Sequence, residues 1–578
     1  MQEWERTMTK SWPAMSLKEA EGQLCVPGSR FEIRKEVING RELRTWVSLP
    51  ANVAELAKQV RATHGAREFL VLNDERVTYE GWFRAVATLA DHLVREGVKQ
   101  GDRVAIAMRN LPEWPVALFA ATVCGAIAVP LNAWWTGEEL AYALEQSGST
   151  VLFCDGERFE RVMSGSPISA DRLKIIVSRS SRPGVVLLES IIGAVVDYGR
   201  LPDLPLPDVT MKPDDPLTIF YTSGTTGRPK GALGTHRNML SGLVAMDFIG
   251  QRGALRRGEP ISDLTPSVTL MTIPLFHVTG CAALLMSAFA CGGKVVLMHK
   301  WNAVEAMGLI ERERITSAGG VPTIAWQLID SPERNRFDLS SLNYVPYGGA
   351  PAAPDLPFLI ERELSAVPYN GWGMTETSGT ITGHSAEDYM NRPDSCGPPL
   401  PVDDLRVVNE AGEPLPVGEI GELCVQGPQI VMGYWQNPQA TQATFGDGWL
   451  RTGDLARLDE EGFCTIVGRS KDVIIRGGEN IYAVEVENAL FSHPAVTDAA
   501  VVALPHDRLG EEPGAMCLIA EGHSISEDEL KLWLRERLAA FKIPVVIRFH
   551  HEPLPRNANG KVMKNDVRAL LLSDAMQD

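Results

Sequence analysis

The sequence has no apolar run long enough to cross a membrane and no excess of positive charge. Its longest apolar stretch, residues 116–131, is interrupted by Gly125 and falls short of the roughly 18 residues that a spanning helix needs. The 73 acidic residues outnumber the 55 lysines and arginines, so the net charge is −18. Bulk charge therefore argues against a nucleic-acid partner. The 44% of hydrophobic and 22% of charged residues are typical of a globular protein.

Cysteine and targeting signals are also sparse. The nine cysteines are scattered, with no Cys-x-x-Cys pair and no histidine at metal-ligand spacing, which is typical of buried thiols in a reducing compartment. The start, Met-Gln-Glu-Trp-Glu-Arg, lacks the basic and apolar parts of a secretory signal, and the final Met-Gln-Asp is no peroxisomal address. We therefore expect a cytoplasmic protein.

The first half of the chain contains alternating apolar strands and amphipathic helices. Strand patterns occur at residues 69–72, 104–108 and 126–131, and helical spacing occurs at residues 79–96 and 112–124. This alternation predicts an α/β fold with a parallel sheet covered by helices on both faces.

The second half of the chain has a different pattern of predicted secondary structure. Short strands and turns predict a small β-rich subdomain at about residues 400–468, and two strand patterns with an amphipathic helix predict a small α+β domain at residues 471–578. We place a large domain at residues 51–470, in line with two to four units at about 100–200 residues each. Residues 1–50 are an N-terminal extension without a readable function.

Residues 221–231 read Tyr-Thr-Ser-Gly-Thr-Thr-Gly-Arg-Pro-Lys-Gly and contain no acid. Glycines allow close approach of the backbone to a ligand, and N–H groups, hydroxyls and an ammonium group together suit a polyphosphate. The stretch is not a Walker A loop, because Pro229 precedes Lys230 and Gly231 follows it. The predicted phosphate ligands are Thr222, Ser223, Gly224, Thr225, Thr226 and Lys230.

Three further features suit a nucleotide. The aromatic face of Trp372 can stack on adenine, at about 1–3 kcal/mol in measured base-stacking cases. Glu376 supplies a carboxylate of the kind that binds Mg²⁺ beside phosphates. Asp454, in a Thr-Gly-Asp turn, can accept hydrogen bonds from a ribose.

Residue for residue, the 221–231 stretch resembles the phosphate loop of the adenylate-forming superfamily, which includes acyl-CoA synthetases, peptide-synthetase adenylation domains and beetle luciferases. The resemblance extends from about Glu68 to Lys561. It implies a large domain of two stacked α/β lobes, one of them formed by the segment before the phosphate loop. It also implies the β-rich subdomain, a mobile C-terminal α+β domain, and the use of ATP, Mg²⁺ and CoA.

The resemblance also implies roles for individual residues. Those of the nucleotide site are adenine contact by Gly349, Ala350 and Trp372, ribose contact by Asp454 and Arg469, and phosphate and Mg²⁺ contact by Thr375 and Glu376. Those of the C-terminal part are a hinge at Lys471, a pantetheine tunnel at Gly477 and Gly478, and a catalytic lysine at Lys561. Relatives more often carry Tyr at position 372 and Pro at position 483.

The acyl group is expected near the strand and turn of residues 272–280. The resemblance makes His277 a wall of the acyl pocket rather than a base, and the predicted lining is His277, Val278, Gly280, Val321 and Thr323. Gly280 and Gly320 remove side chains near this wall, which favours a medium- or long-chain aliphatic acid. An aryl acid in a shorter pocket stays open.

The resulting hypothesis is an ATP-dependent carboxylic acid:CoA ligase. It would form acyl-AMP and pyrophosphate, and then an acyl-CoA thioester with release of AMP. A carrier-loading adenylation enzyme, a luciferase-type oxygenase and a non-catalytic nucleotide-binding protein are the alternatives. The sequence leaves the oligomeric state open, a homodimer included.

Overall fold

The computed structural model describes residues 12–165, 172–180, 185–222, 228–349, 352–520, 522–550, 552–556 and 562–574. Some predicted site residues lie outside these ranges, namely Ser223, Gly224, Thr225, Thr226, Ala350 and Lys561.

The secondary structure begins with a helix and a hairpin. These are α1 (Leu17–Leu24), β1 (Ile33–Ile38) and β2 (Arg41–Trp46). Up to the phosphate loop, helices and strands alternate as α2 (Val53–His64), β3 (Glu68–Leu72), β4 (Glu75–Thr78), α3 (Tyr79–Arg95), β5 (Arg103–Ala107), α4 (Glu113–Val123), β6 (Ile127–Pro130), α5 (Gly137–Ser147), β7 (Val151–Asp155), α6 (Gly156–Ser164), β8 (Lys174–Ser178), β9 (Val186–Leu187), α7 (Glu189–Ile192) and β10 (Pro216–Thr222).

The alternation continues after the loop. The elements are β11 (Lys230–Thr235), α8 (His236–Ser241), α9 (Ala245–Arg256), β12 (Val268–Met271), a π-helix (Thr279–Met286), α10 (Ser287–Ala290), β13 (Lys294–Leu297), α11 (Ala303–Glu313), β14 (Ser317–Ala318), α12 (Pro322–Ile329), β15 (Tyr344–Gly348), α13 (Leu356–Leu364), β16 (Val367–Met374), β17 (Gly379–Ser385) and α14 (Ala386–Met390).

The remaining elements are mostly strands. They are β18 (Asp404–Val408), β19 (Gly421–Gln426), β20 (Gly433–Tyr434), α15 (Pro438–Phe445), β21 (Leu450–Leu458), β22 (Cys464–Arg469), β23 (Val473–Arg476), β24 (Glu479–Tyr482), α16 (Ala483–Phe491), β25 (Val496–His506), β26 (Gly510–Ile519), α17 (Glu527–Arg535), β27 (Val546–His550) and α18 (Lys564–Asp574). Short 3₁₀ turns occur at Val195–Arg200, Arg334–Arg336, Thr375–Thr377, Ser470–Asp472 and Ala540–Lys542.

Two eight-stranded sheets form the large part of the molecule. Their strand orders are β20-β11-β10-β6-β5-β7-β8-β9 and β17-β16-β15-β14-β12-β13-β3-β4. The central pairs are parallel, as predicted, whereas β10–β11, β11–β20, β16–β17 and β3–β4 are antiparallel. A four-stranded sheet (β18-β19-β21-β22) and a five-stranded sheet (β23 to β27) follow. The predicted fold class is confirmed, while the domain boundaries and the mobility of the C-terminal part stay predictions.

Strand β3 belongs to the second lobe, whereas the sequence predicts it in the first. β3 comes before the phosphate loop but pairs with β13, with Leu70 opposite Val295. Phe69 packs against Phe289, with ring centres 5.3 Å apart. A fully apolar strand fits the interior of either sheet, so the hydrophobic pattern alone does not reveal this crossover.

Helix α4 joins the two lobes in one core. All of its residues from Glu113 to Val123 are buried, as expected of a helix that is apolar on every face. Its Phe119 lies within 4.9 Å of Phe289, ring centre to ring centre. Among the described residues, no helix is both long and apolar enough to span a membrane.

The N-terminal residues pack on helix α9. Trp46 of β2 lies 5.7 Å from Phe248, ring centre to ring centre. At the end of α9, the Arg256 side chain is fully buried and donates hydrogen bonds to the Asp388 carboxylate (2.7 Å), the Met15 carbonyl (3.2 Å) and the Glu461 carboxylate (3.4 Å). Arg256 thus joins the N-terminal segment, α14 and the turn before β22.

Candidate active site

Strands β10 and β11 hold the two ends of the predicted phosphate loop side by side. Thr222 ends β10 and lies opposite Lys230, which begins β11. The Tyr221 hydroxyl donates to the Ala143 carbonyl at 3.1 Å and lies 2.5 Å from Gln146 Oε1. These bonds fix the end of β10 against α5, so the loop leaves from a rigid base.

Glu376 is buried in the 3₁₀ turn between β16 and β17, with 5% of its surface exposed. Its Oε1 accepts a hydrogen bond of 2.7 Å from the Tyr434 hydroxyl. Burial raises the pKa of Glu376, while the Tyr434 hydrogen bond and the charges of Arg469 and Lys230 lower it. The structure therefore brings Glu376 close to Lys230, two of the predicted phosphate and Mg²⁺ ligands, and their roles stay predictions.

Tyr434 is the site residue that sequence reasoning missed. The Lys230 ammonium lies 5.1 Å from the centre of its ring, and its hydroxyl contacts Glu376. Tyr434 reaches this position because β20 pairs with β11, with Ala232 opposite Tyr434. A pairing between strands about two hundred residues apart leaves no local pattern in the sequence.

Asp454, Arg469 and Trp372 form a second cluster, in which Asp454 is buried and the other two side chains are half-buried. Asp454 Oδ1 lies 2.8 Å from Arg469 Nε, and Asp454 Oδ2 accepts a hydrogen bond of 3.0 Å from the Trp372 indole N–H. Asp454 and Arg469 are cross-strand partners in β21 and β22. The indole at position 372 thus provides a donor to the predicted ribose ligand, a contact that the sequence did not indicate.

Gly349 follows β15 with a φ of +76°, and apart from its chain neighbours no atom of the described residues lies within 4 Å of the position that a Cβ would occupy. The backbone is therefore open on this side, which suits the close approach of a flat ring. The preceding Gly348 has a different reason to be glycine, because a Cβ there would lie 2.9 Å from the Gly371 carbonyl oxygen.

His277 follows the turn after β12. Burial lowers the pKa of its imidazole to about 4, so the ring is neutral at pH 7. Its Nε2 is buried and has no hydrogen-bond partner among the residues that the structure describes. A neutral, half-buried ring fits the predicted wall rather than a charged catalytic group, and its role stays a prediction.

Gly280 and Gly320, predicted to shape the acyl pocket, each have a packing reason to be glycine. A Cβ on Gly280 would lie 2.3 Å from the Pro274 carbonyl oxygen, and one on Gly320 would lie 2.8 Å from Ile324 Cδ1. Packing alone therefore accounts for both glycines, and the chain-length preference inferred from them stays a prediction. Of the other predicted wall residues, Val278 is in the core, Val321 packs in the core of the second lobe, and Thr323 is exposed.

A crevice lies close to Glu376 along the chain. It opens at Ser378, two residues after Glu376, between the start of α9, the π-helix and the start of β17. We call it the small-residue crevice; its lining is Gly242, Ala245, Met246, Ala282, Ala283, Ser287, Ser378, Gly379 and Thr380. The π-helix is a conformation frequent at functional sites, but its short apolar sequence gave no sign of it.

The hinge and tunnel residues lie at the start of the C-terminal part. Lys471 is in the 3₁₀ turn directly after Arg469, and burial lowers its pKa. Gly477 and Gly478, with φ of +60° and +91°, form the two-residue turn of the β23–β24 hairpin. Such a turn requires positive φ at both positions, so the glycines have a structural reason besides the predicted tunnel.

A two-lobed α/β fold with buried carboxylates set against lysine and arginine defines the class, a nucleotide-binding enzyme. Residues 56–435 match the AMP-binding enzyme family, and residues 485–561 match the AMP-binding enzyme C-terminal domain. The chain therefore belongs to the AMP-binding enzyme family.

Known proteins similar to this chain act on different acids. A feruloyl-CoA synthase from Amycolatopsis sp is 36% identical over 497 residues, which cover 85% of this chain and 93% of that protein. The long-chain-fatty-acid–CoA ligase FadD13 from Mycobacterium tuberculosis is 32% identical, over 86% of this chain and 93% of that protein.

A solved structure agrees with these matches. The o-succinylbenzoate CoA synthetase MenE from Bacillus subtilis, in complex with the acyl-adenylate intermediate OSB-AMP, has a TM-score of 0.74 and 30% identity. The alignment covers 90% of this chain and 98% of that chain. The predictions of an adenylate-forming enzyme and of an acid–thiol ligase are confirmed.

Proposed function

We propose that the protein is an AMP-forming ligase that joins a carboxylic acid to CoA with the use of ATP and Mg²⁺. The observation that carries this proposal is the cluster of Lys230, Tyr434 and Glu376 at the base of the predicted phosphate loop. The small-residue crevice begins two residues from Glu376, so an acid and a triphosphate could meet there.

Glu376 fits the role of a Mg²⁺ ligand. Its burial raises its pKa, and a bound cation would relieve that cost. Within the described ranges, no group of three or more His, Cys, Asp or Glu residues could hold a metal by itself. This suits Mg²⁺, which is often held by one or two carboxylates and by substrate phosphates. When bound, the ion would neutralise phosphate charge.

In the first half-reaction, the acid's carboxylate attacks the α-phosphorus of ATP, and pyrophosphate leaves. A carboxylate is already a nucleophile, so the protein needs no general base, and catalysis comes from positioning and charge. Lys230 would bind the departing pyrophosphate, and Asp454 with Arg469 would hold the ribose. Lys561 would bridge the carboxylate and the α-phosphate.

In the second half-reaction, the CoA thiol attacks the acyl carbonyl carbon of the adenylate. The C–S bond forms, the bond from carbon to the AMP oxygen breaks, and the thiol proton goes to solvent. The small domain would rotate about Lys471 between the two steps, which withdraws Lys561 and brings Gly477 and Gly478 forward. Such gating motions rely on a few residues that absorb the change in backbone angles.

We favour an aryl acid of the cinnamate type as the substrate. Glycine, alanine and serine on three elements line the small-residue crevice, and such short side chains suit a flat ring that packs close to the backbone. The similarity to a feruloyl-CoA synthase supports this choice. A medium- or long-chain fatty acid is the second candidate, and the similarity to FadD13 favours it.

Release of AMP and of pyrophosphate should be measured with acetate, octanoate, palmitate, benzoate, cinnamate and ferulate, each with and without CoA. The proposal expects AMP release that needs both acid and CoA, with the highest kcat/KM on a cinnamate. AMP release with no acid dependence, or none with any acid, would contradict the ligase. A maximum on palmitate would contradict the aryl substrate alone.

A further inference from the structure

A second cavity lies behind the small-residue crevice. We call it the inner cavity; it is lined by Val53, Leu118, Phe119, Leu217, Met239 and Met286, together with two threonines. Each of these six side chains is at most 4% exposed. The inner cavity is therefore a buried, apolar space in the core between α2, α4, β10 and the π-helix.

Two methionines separate the inner cavity from the crevice. Ala282 lines the crevice and Met286 lines the inner cavity, four residues further along the π-helix, while the adjacent Ser287 again faces the crevice. Met239 lines the inner cavity three residues before Gly242, which lines the crevice. Residues three or four apart on a helix lie above one another. Met286 and Met239 are therefore adjacent to crevice residues and lie between the two spaces.

A third contact shows how thin the partition is. A Cβ on Gly234 would lie 3.1 Å from Thr218 Oγ1 and 3.7 Å from Ser378 Oγ. Thr218 lines the inner cavity, and Ser378 lines the crevice. The two spaces are therefore neighbours at this point too, on the side of β10 and β11.

We propose that Met286, with Met239, limits the length of the acid by closing the inner end of the small-residue crevice. This inference rests on the proposed ligase function. The inner cavity alone, at about 10 Å³, is too small for an alkyl tail. Its six core-forming side chains are apolar, so the space left by a removed methionine side chain would take up an alkyl tail. Methionine is unbranched and adapts its shape, so removal of one methionine side chain joins the two spaces.

The test is Met286→Ala in the full-length protein, with kcat/KM from CoA-dependent AMP release for octanoate, dodecanoate, palmitate and cinnamate. We expect the ratio of palmitate to octanoate to rise about tenfold or more, since one to a few methylenes of pocket space change specificity by that much. Met286→Leu, which keeps the bulk, should keep the wild-type ratio.

Met307→Ala is the matched control. Met307 is a fully buried methionine in the core of the second lobe, so its loss should lower stability without changing the ratio. An unchanged palmitate-to-octanoate ratio in Met286→Ala, or the same rise of that ratio in Met307→Ala, overturns the inference. CoA-dependent AMP release by the wild-type protein would still support the ligase proposal in that case. If Met286→Ala does not fold, Met239→Ala is judged by the same ratio. Wild-type protein without CoA-dependent AMP release contradicts the ligase proposal instead.

Discussion

Around Glu376 and Asp454 the site is held by hydrogen bonds between polar and charged side chains, whereas the lining of the small-residue crevice contains no charged side chain. Hydrogen bonds of this kind fix distances and directions. Packing of glycine and alanine fixes only the available volume. A family that keeps one reaction and changes its acid needs a rigid nucleotide end and an adjustable acid end, which is the division that we propose for these two regions.

The largest effect is expected at the nucleotide end. Glu376→Gln removes the buried charge beside Tyr434 and Lys230, and kcat for acid-dependent pyrophosphate release should fall about 100- to 1,000-fold, the loss typical of one electrostatic group in a site. Stopped-flow or steady-state assays of pyrophosphate release measure this loss of kcat. Glu410→Gln, at an exposed position in the turn after β18, should match the wild type. An unchanged kcat in Glu376→Gln would remove Glu376 from the mechanism.

The second effect concerns the hydrogen bond from Trp372 to Asp454. Trp372→Phe keeps a ring for stacking but loses the N–H, and the KM for ATP should rise about tenfold because hydrogen bonds to charged groups are worth about 1.5–3 kcal/mol. kcat at saturating ATP should stay within about threefold. Trp301→Phe is the matched control, since the Trp301 indole N–H also donates one side-chain hydrogen bond, of 2.5 Å, to Gln327 Oε1 in α12. Equal ATP affinity in both variants would show that stacking alone matters.

The third effect separates packing from pocket shape. Gly280→Ala should lower the free energy of unfolding by about 1–3 kcal/mol, as over-packing does, because its Cβ meets the Pro274 carbonyl oxygen. Denaturant titration measures it. The relative preference among acids should stay as in the wild type. Gly250 lies in helix α9, and a Cβ there would meet no described atom within 4 Å outside its own helix backbone. Gly250→Ala should therefore stabilise the fold by up to about 1 kcal/mol. A changed acid preference with unchanged stability would restore Gly280 to the pocket wall.

The smallest effect concerns acid sensitivity. The pKa of His277 is lowered to about 4 in the fold from an ordinary 6.5. As pH falls from 6.5 towards 4, the unfolded chain takes up a proton that the folded chain refuses, so the free energy of unfolding decreases. His277→Asn should make this decrease shallower by about one proton. Phe276→Leu changes the neighbouring ring but should keep the wild-type slope. If the free energy of unfolding has the same pH dependence in all three proteins, His277 takes up its proton in the fold as readily as in the unfolded chain.

Much of the nucleotide end could be predicted from the sequence. Lys230, Glu376, Asp454 and Arg469 occur in short ordered motifs, and the structure brings them into two adjoining clusters. Each motif sets glycine or hydroxyl residues beside charged ones, and the resemblance to the adenylate-forming superfamily supplied the role of Arg469. The positions of Ser223, Gly224, Thr225, Thr226, Ala350 and Lys561 lie outside the described residues, and their roles stay predictions.

The acid end could not be predicted in the same way. Ala282 and Ala283 lie in an apolar run without periodicity, and they line the crevice only because a π-helix turns them towards β17. Gly280 was predicted to shape the acyl pocket, yet its close contact with the Pro274 backbone already requires a glycine at this position. Tyr434 depends on a strand pairing, and β3 on a crossover between lobes. Tertiary packing determines the positions of all these residues, and no local sequence pattern indicates that packing.

The buried guanidinium of Arg256 has a consequence for how the molecule unfolds. Its three acceptors belong to the N-terminal segment, to α14 and to the turn before β22. Loss of any one of these parts would leave a buried charge with fewer partners, which is costly. We therefore expect these three parts to melt in one cooperative step. Helix α9, which carries Ala245 and Met246 of the crevice, would lose its order in that same step.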